Sequence, residues 1–175
     1  MDLARIPTWN EDEDAVHVVV EAPRGCGLKL KYEPDLKAFV FGKALPVGLT
    51  YPYDWGFVPS TRAEDGDPLD ALVLTDVPSY PGVVIPCRLL GAVLVDQKGD
   101  DGRERNDRVI AVPVDAERYA ELKEPDDLSD RMREEIEQFF LDTTFFTHKD
   151  ARVHGWKDSK YAARKVRKAE RKRRR

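Results

Sequence analysis

Through the first two-thirds of the chain, apolar residues come in short β-branched runs or in strict alternation; after residue 130 they recur every third or fourth position. That change of period predicts strands first and helices last. Val16-His17-Val18-Val19-Val20-Glu21 predicts a strand by its β-branched density. Leu28 to Glu33 alternates, so Lys29, Lys31 and Glu33 share one face and Leu28, Leu30 and Tyr32 the other. Further strands are expected over Ala38–Phe41, Ala71–Thr75, Val83–Val95 with a glycine bend at Gly91, and Val109–Pro113. Asn10-Glu11-Asp12-Glu13-Asp14 reads as an exposed approach segment, and the polar, Gly-containing stretch from Asp96 to Asn106 as a mobile loop. Tyr51, Tyr53, Trp55 and Phe57, cut by Pro52, Gly56 and Pro59, exclude a regular helix and suggest an aromatic plug over the core.

The helical part begins after Pro125-Asp126-Asp127-Leu128-Ser129-Asp130, which supplies caps, and places Met132, Ile136, Phe139 and Phe140 on one face. His154-Gly155-Trp156 forms a short apolar segment, and Asp158 or Ser159 can cap a last helix from Tyr161 into the basic C-terminus. Strands followed by helices imply an α+β fold: a small closed β-barrel, OB-like, with about five core strands and helices packed outside, mostly C-terminal. The expected division is a barrel domain over 1–159 and a basic helical tail over 160–175.

At 175 residues, 41% hydrophobic and 35% charged, the chain can bury one core. No apolar run nears the roughly 18 residues that span a bilayer, and no basic-then-apolar leader opens it. Cys26 and Cys87 carry no C-x-x-C spacing, so neither a disulfide framework nor a zinc site is expected. These features imply a cytoplasmic protein without membrane contact. The net charge of −4 hides an asymmetry: residues 160–175 carry ten Lys or Arg against one Glu. The remainder is strongly acidic, which argues against nucleic-acid binding by the main body but not against a phosphate ligand if bound metals reverse the local sign.

The chemistry concentrates in Asp65-Gly66-Asp67-Pro68-Leu69-Asp70. Three carboxylates on a short turn repel one another unless a cation lies between them, and a hard divalent ion with oxygen ligands suits that need. A solvated acidic loop is the plainer alternative. An EF-hand is excluded by Pro68, by Asp70 in the place of the required glycine, and by strand-like flanks.

This turn, with Ala71-Leu72-Val73, resembles the signature of soluble family I inorganic pyrophosphatases. The resemblance extends from about Val18 to Trp156. It includes Val19-Val20-Glu21-Ala22-Pro23, Lys31-Tyr32-Glu33, Tyr51-Pro52 with Gly56-Phe57-Val58, Pro81-Gly82 with Cys87-Arg88, Ile110-Ala111-Val112-Pro113, Phe139-Phe140 and Gly155-Trp156. It implies a hydrolase that splits diphosphate into two phosphates using several Mg²⁺ ions. By that resemblance Asp65, Asp70 and Asp96 hold metals, Asp67 accepts a proton from the attacking water, and Lys31 and Arg108 contact phosphate. Glu21 and Glu33 act at the rim, Tyr51 supports the site, and the chain forms a homo-oligomer, a hexamer by analogy with bacterial members.

Several positions depart from the family pattern. Lys43 replaces an arginine and Trp55 a tyrosine on the substrate side. Asn106 stands where an acidic metal ligand is expected, with Asp107 beside it and Asp101 nearby as possible substitutes. Asp142-Thr143-Thr144 replaces a tyrosine–lysine phosphate clamp, for which Lys149 or His148 are nearby candidates. Two other readings stay open: a homologue acting on another phosphoanhydride, such as polyphosphate or a nucleotide, and a barrel-fold module that binds nucleic acid through the basic tail.

Overall fold

The computed structural model describes residues 2–10 and 15–170. Most of the acidic approach segment, residues 11–14, and the last five residues of the basic tail lie outside the described residues. The strands are β1 (Trp9–Asn10), β2 (Ala15–Ala22), β3 (Leu28–Glu33), β4 (Ala38–Ala44), β5 (Asp54–Val58), β6 (Leu69–Val73), β7 (Val84–Gly99), β8 (Gly102–Arg105), β9 (Arg108–Pro113) and β10 (Arg152–Lys157). Two helices follow the β9 strand, α1 (Asp130–Asp142) and α2 (Ser159–Ala169), with β10 between them. Among the described residues no helix is long and apolar enough to cross a membrane.

Five strands close on themselves: β2 pairs β5, β5 pairs β6, β6 pairs β9, β9 pairs β7, and β7 returns to β2. Only the β6–β9 contact is parallel. A ring of this kind hides the unpaired backbone edges that an open sheet of such apolar strands would expose. It matches the expected five core strands with helices outside.

Closure rests on β7, which is 16 residues long. Its first residues pair with β2, its middle with β9, and its end with β10 and β8. A shift of register between Leu89 and Gly91 bends the strand so that it can change partners. The stretch Asp96–Asn106, expected as a loop, instead extends β7 and folds back as β8, with Asp96 opposite Arg105 and Gly99 opposite Gly102. The Gly102 φ of +125° makes that tight reversal possible.

The aromatic segment is both strand and plug. β5 is buried at every residue, and its Trp55, with Tyr51, meets α1. The Tyr51 and Phe139 rings lie 5.2 Å apart, and those of Trp55 and Phe140 6.1 Å. The α1 helix starts where Ser129 Oγ accepts from the Met132 N–H, and it buries Ile136, Phe139 and Phe140. Asp158 caps α2 in the same way, through the Tyr161 N–H. Ala162 and Val166 of α2 join the core, so residue 160 falls inside a helix packed on the ring.

The hairpin β3–β4 stands apart from the ring as a two-stranded sheet. Its Tyr32 packs on Phe39 and Phe57, which fixes the hairpin over the ring and aims its lysine face inward. Gly56 is the closest backbone approach in the ring: a Cβ there would lie 2.0 Å from the Val19 carbonyl oxygen. Gly56→Ala is therefore expected to cost about 3 kcal/mol or more in urea-unfolding free energy, with β2 and β5 forced apart.

Candidate functional site

The acidic turn sits between an isolated bridge at Thr61 and the start of β6. Gly66 adopts φ +89°, the Ala63 N–H donates to the Asp67 carbonyl at 2.7 Å, and the Asp67 N–H donates to Asp65 Oδ1 at 3.2 Å. These contacts hold Asp65 and Asp67 at the surface and bring Asp70 to the second position of the β6 strand. Lys31, from β3, reaches across to Asp67, with Nζ 3.2 Å from both carboxylate oxygens. Both side chains are about half exposed, so the pair contributes little to stability and is free to exchange partners.

Arg108 is the most tightly held group of the site. Its side chain is only 13% exposed and lies under Trp55, with the guanidinium carbon 5.4 Å from the ring centre. It forms an ion pair with Asp70 and donates to Asn106 Oδ1 at 2.6 Å. Burial pulls its pKa down to about 10, while Asp65 and Tyr51 act in the opposite direction. Even so it stays charged at neutral pH.

Beside Arg108 opens a cavity of about 460 Å³ between the ring, the β3–β4 hairpin and the end of α1. Lys29, Lys31, Lys43, Arg108 and Lys149 line it, together with Trp55, Gln97 and Thr144. No carboxylate is among its lining residues. Burial lowers the pKa of Lys29, Lys43 and Lys149, and neighbouring cations lower it further: Arg108 and Lys31 beside Lys29, Lys29 and Lys149 beside Lys43, and Lys29 and Arg108 beside Lys149. Lys43 Nζ donates to the Thr143 carbonyl at 3.2 Å, tying the hairpin to the end of α1.

The side chains expected to act are only partly brought together. Asp65, Asp67, Asp70, Lys31, Arg108, Asn106 and Trp55 converge, and Lys43 lines the adjoining cavity. Glu21 is buried behind them, accepts from the Tyr32 N–H at 2.7 Å, and has its pKa pushed up to about 7 by burial. Tyr51 is also buried, and burial drives its hydroxyl pKa upward. Glu33 lies at the end of β3, where its carboxylate accepts from the Asp35 N–H at 3.4 Å.

Asp96 and Asp107 are placed elsewhere. Strand alternation turns Val95 and Gln97 toward the cavity, and Asp96 to the other face of β7. There His154 Nε2 lies 2.6 Å from Asp96, and Arg103 Nε donates to it at 2.7 Å. Hydrogen bonding from Arg103, then from His154, holds the Asp96 carboxyl below its usual range. The amide of Gln97 thus faces the site where an acidic ligand was expected from this strand.

Asp107 points behind the sheet and is 2% exposed. It accepts from Lys165 at 2.8 Å, Tyr161 at 2.9 Å, Arg105 at 2.8 Å and the Val95 N–H at 3.2 Å. It is a structural clasp for α2 rather than a ligand in reach of the turn. Asp101 lies exposed in the β7–β8 reversal.

The Thr143 and Thr144 hydroxyls are turned back onto the Phe140 and Leu141 carbonyls, so neither replaces a phosphate clamp. Lys149 is the nearby cation that does enter the cavity. Lys149 was one of the two candidates named for that role, whereas Gln97 and Lys29 were not read from the sequence as site residues. The period of β7 pointed to Gln97, and the face shared with Lys31 pointed to Lys29.

Three carboxylates and two amides make an unusual donor set for metal. Among the described residues no group of three or more His, Cys, Asp or Glu side chains is arranged to hold an ion. Asp65 and Asp70 fit one hard divalent ion, which takes one or two carboxylates and completes its shell with water and phosphate oxygens. They do not fit a centre of several ions, because Gln97 and Asn106 bring no charge and Arg108 already neutralises Asp70.

Because Asp107 belongs to the clasp, Asp107→Ala should lower the unfolding free energy by about 3–5 kcal/mol through the stranded Lys165 charge. Its affinity for divalent ions, read by titration calorimetry on the folded variant, should be unchanged.

Comparison with known proteins bears on the chain as a whole. A family model described as inorganic pyrophosphatase matches residues 18–174. The inorganic pyrophosphatase of Thermus thermophilus is 39% identical over 170 residues, covering 95% of this chain and 94% of that protein. That of Synechocystis sp. is 36% identical over 158 residues, covering 90% of each. The crystal structure of the Thermus thermophilus inorganic pyrophosphatase aligns with a TM-score of 0.89 at 37% identity, over 97% of each chain. With sequence and fold in agreement over most of its length, the chain belongs to the inorganic pyrophosphatase family.

Proposed function

We propose that this protein hydrolyses inorganic diphosphate to two phosphates, with Asp67 as the proton acceptor. The observation that carries the reading is the contact of Lys31 with Asp67, which joins the acidic turn to a cavity lined by cations. A polyanionic substrate is drawn into the cavity while the carboxylates at its edge stay available for water. A divalent ion on Asp65 and Asp70, for which we propose Mg²⁺, supplies further charge neutralisation and lowers the pKa of water when bound.

The roles of the chain's own groups follow from where they sit. Lys31 leaves Asp67 for a phosphate oxygen, and the freed Asp67 carboxylate takes a proton from the attacking water. The water oxygen bonds to phosphorus, the bridging oxygen leaves with the second phosphate, and that phosphate takes up a proton. Arg108 is fixed by Asp70, Asn106 and Trp55, so its remaining N–H groups are aimed before substrate arrives. Lys43 and Lys149 hold the far phosphate from opposite walls.

A homo-oligomer agrees with Phe145 and Phe146, which meet edge to face with ring centres 4.9 Å apart while 75% and 80% exposed. We place the enzyme in the cytoplasm on the grounds given by its composition. The cavity exceeds what a diphosphate fills, so a longer condensed phosphate is the alternative substrate to compare.

Phosphate release from diphosphate, tripolyphosphate and a nucleoside triphosphate, with Mg²⁺ and with EDTA, tests the reading. Diphosphate should be preferred, EDTA should abolish turnover, and Asp67→Asn should lose about 10²-fold or more in kcat. Folded protein that releases no phosphate from diphosphate with Mg²⁺ would refute it.

A further inference from the structure

We propose that the cavity binds diphosphate free of metal, the protein's own cations supplying the neutralisation that a several-ion centre would otherwise provide. The inference rests on the diphosphatase reading for the identity of the anion, but its grounds are separate. They lie in an excess of fixed positive charge and a shortage of metal-binding charge.

Lys29 and Lys43 are direct partners across the β3–β4 hairpin. Like charges placed opposite one another on a sheet repel, and here both also face Lys149 and Arg108 across the cavity. Lys31 and Arg108 are matched by Asp67 and Asp70. Among the described residues Lys29, Lys43 and Lys149 have no carboxylate within ion-pair distance. Three unmatched ammonium groups in one cavity are unfavourable until an anion of comparable charge enters. Diphosphate, at about three negative charges near neutral pH, is such an anion.

The metal side points the same way. Gln97 borders the cavity and Asn106 borders the acidic turn through Arg108, each an amide where a carboxylate would add to a metal cage. An amide oxygen can coordinate a hard ion, but it brings no charge to offset the loss of the ion's water. Five cations line the cavity, and the polar side chain that β7 turns into it is an uncharged amide. The carboxylates that act on these lysines, Glu21, Asp65 and Asp67, lie outside the lining. That arrangement favours the bare polyanion over its metal complex.

The test is titration calorimetry of diphosphate into the full chain in excess EDTA, with monophosphate at equal ionic strength as the comparison. Saturable one-to-one binding is expected, at least about tenfold tighter for diphosphate than for monophosphate. Lys29→Ala and Lys149→Ala, each confirmed folded by circular dichroism, should each weaken it about tenfold or more. The double change Gln97→Asp with Asn106→Asp should weaken metal-free binding and raise the affinity for Mg²⁺ measured without substrate.

Heats equal to dilution in EDTA, with binding restored only by Mg²⁺, would overturn the proposal. So would equal affinity for the two phosphates. The two readings fail separately. Turnover with Mg²⁺ but no binding in EDTA removes this inference and leaves the diphosphatase. Tight binding in EDTA with no turnover under any metal condition supports this inference and removes the diphosphatase.

Discussion

A buried guanidinium sets the terms for everything around it. Arg108 is enclosed by Trp55 above, Asp70 on one side and Asn106 on the other. A buried charge without partners costs several kcal/mol, so those neighbours are held to it as firmly as it is to them. Asp70 is consequently a half-neutralised carboxylate before any ion or substrate arrives. Trp55 is fixed in turn by Phe140, which makes the end of α1 a wall of the cavity. One side chain therefore couples the acidic turn, the aromatic plug and the helix.

The ring supplies the rigidity that this arrangement needs. Arg108 starts the β9 strand and Asp70 is the second residue of β6, and those strands run parallel with Ala71 beside Val109. The two charges are thus held at neighbouring strand ends by backbone hydrogen bonds rather than by loops. The long β7 strand closes the ring and carries Gln97 to the cavity edge. The hairpin β3–β4, outside the ring, holds Lys29, Lys31 and Lys43 over it. A rigid floor with a cationic flap is well suited to gripping a small polyanion.

Much of this was legible in the sequence. The β3 strand and both helix caps fall where alternation and capping residues placed them, because those signals are local. The acidic turn is short and continuous, so it could be read directly; Lys31 and Arg108 were reached through the family resemblance. What escaped was decided by tertiary geometry. The Asp96–Asn106 stretch looks like a polar loop, yet it pairs as a hairpin because β7 needs a partner beyond the ring. That pairing fixes the strand's register and exchanges Asp96 for Gln97 at the site. Asp107 looks like a ligand because it neighbours Asn106; only the position of α2, with Lys165 and Tyr161, reveals it as a clasp. Lys149 and His148 were both candidates; that Lys149 is the one lining the cavity depends on how the segment after α1 folds back, which no local pattern encodes.

The number of divalent ions held per chain decides whether the protein's own cations have taken over part of the metal's work. It is measured by equilibrium dialysis with Mn²⁺, counted by electron spin resonance, in the presence of saturating imidodiphosphate as a non-hydrolysed anion. A single ion per chain, lost when Asp65 and Asp70 are changed to Asn, is the expected result. Three or more ions per chain at comparable affinity would contradict the account, since Gln97, Asn106 and the Arg108-bound Asp70 would then be serving the several-ion centre they are argued to lack.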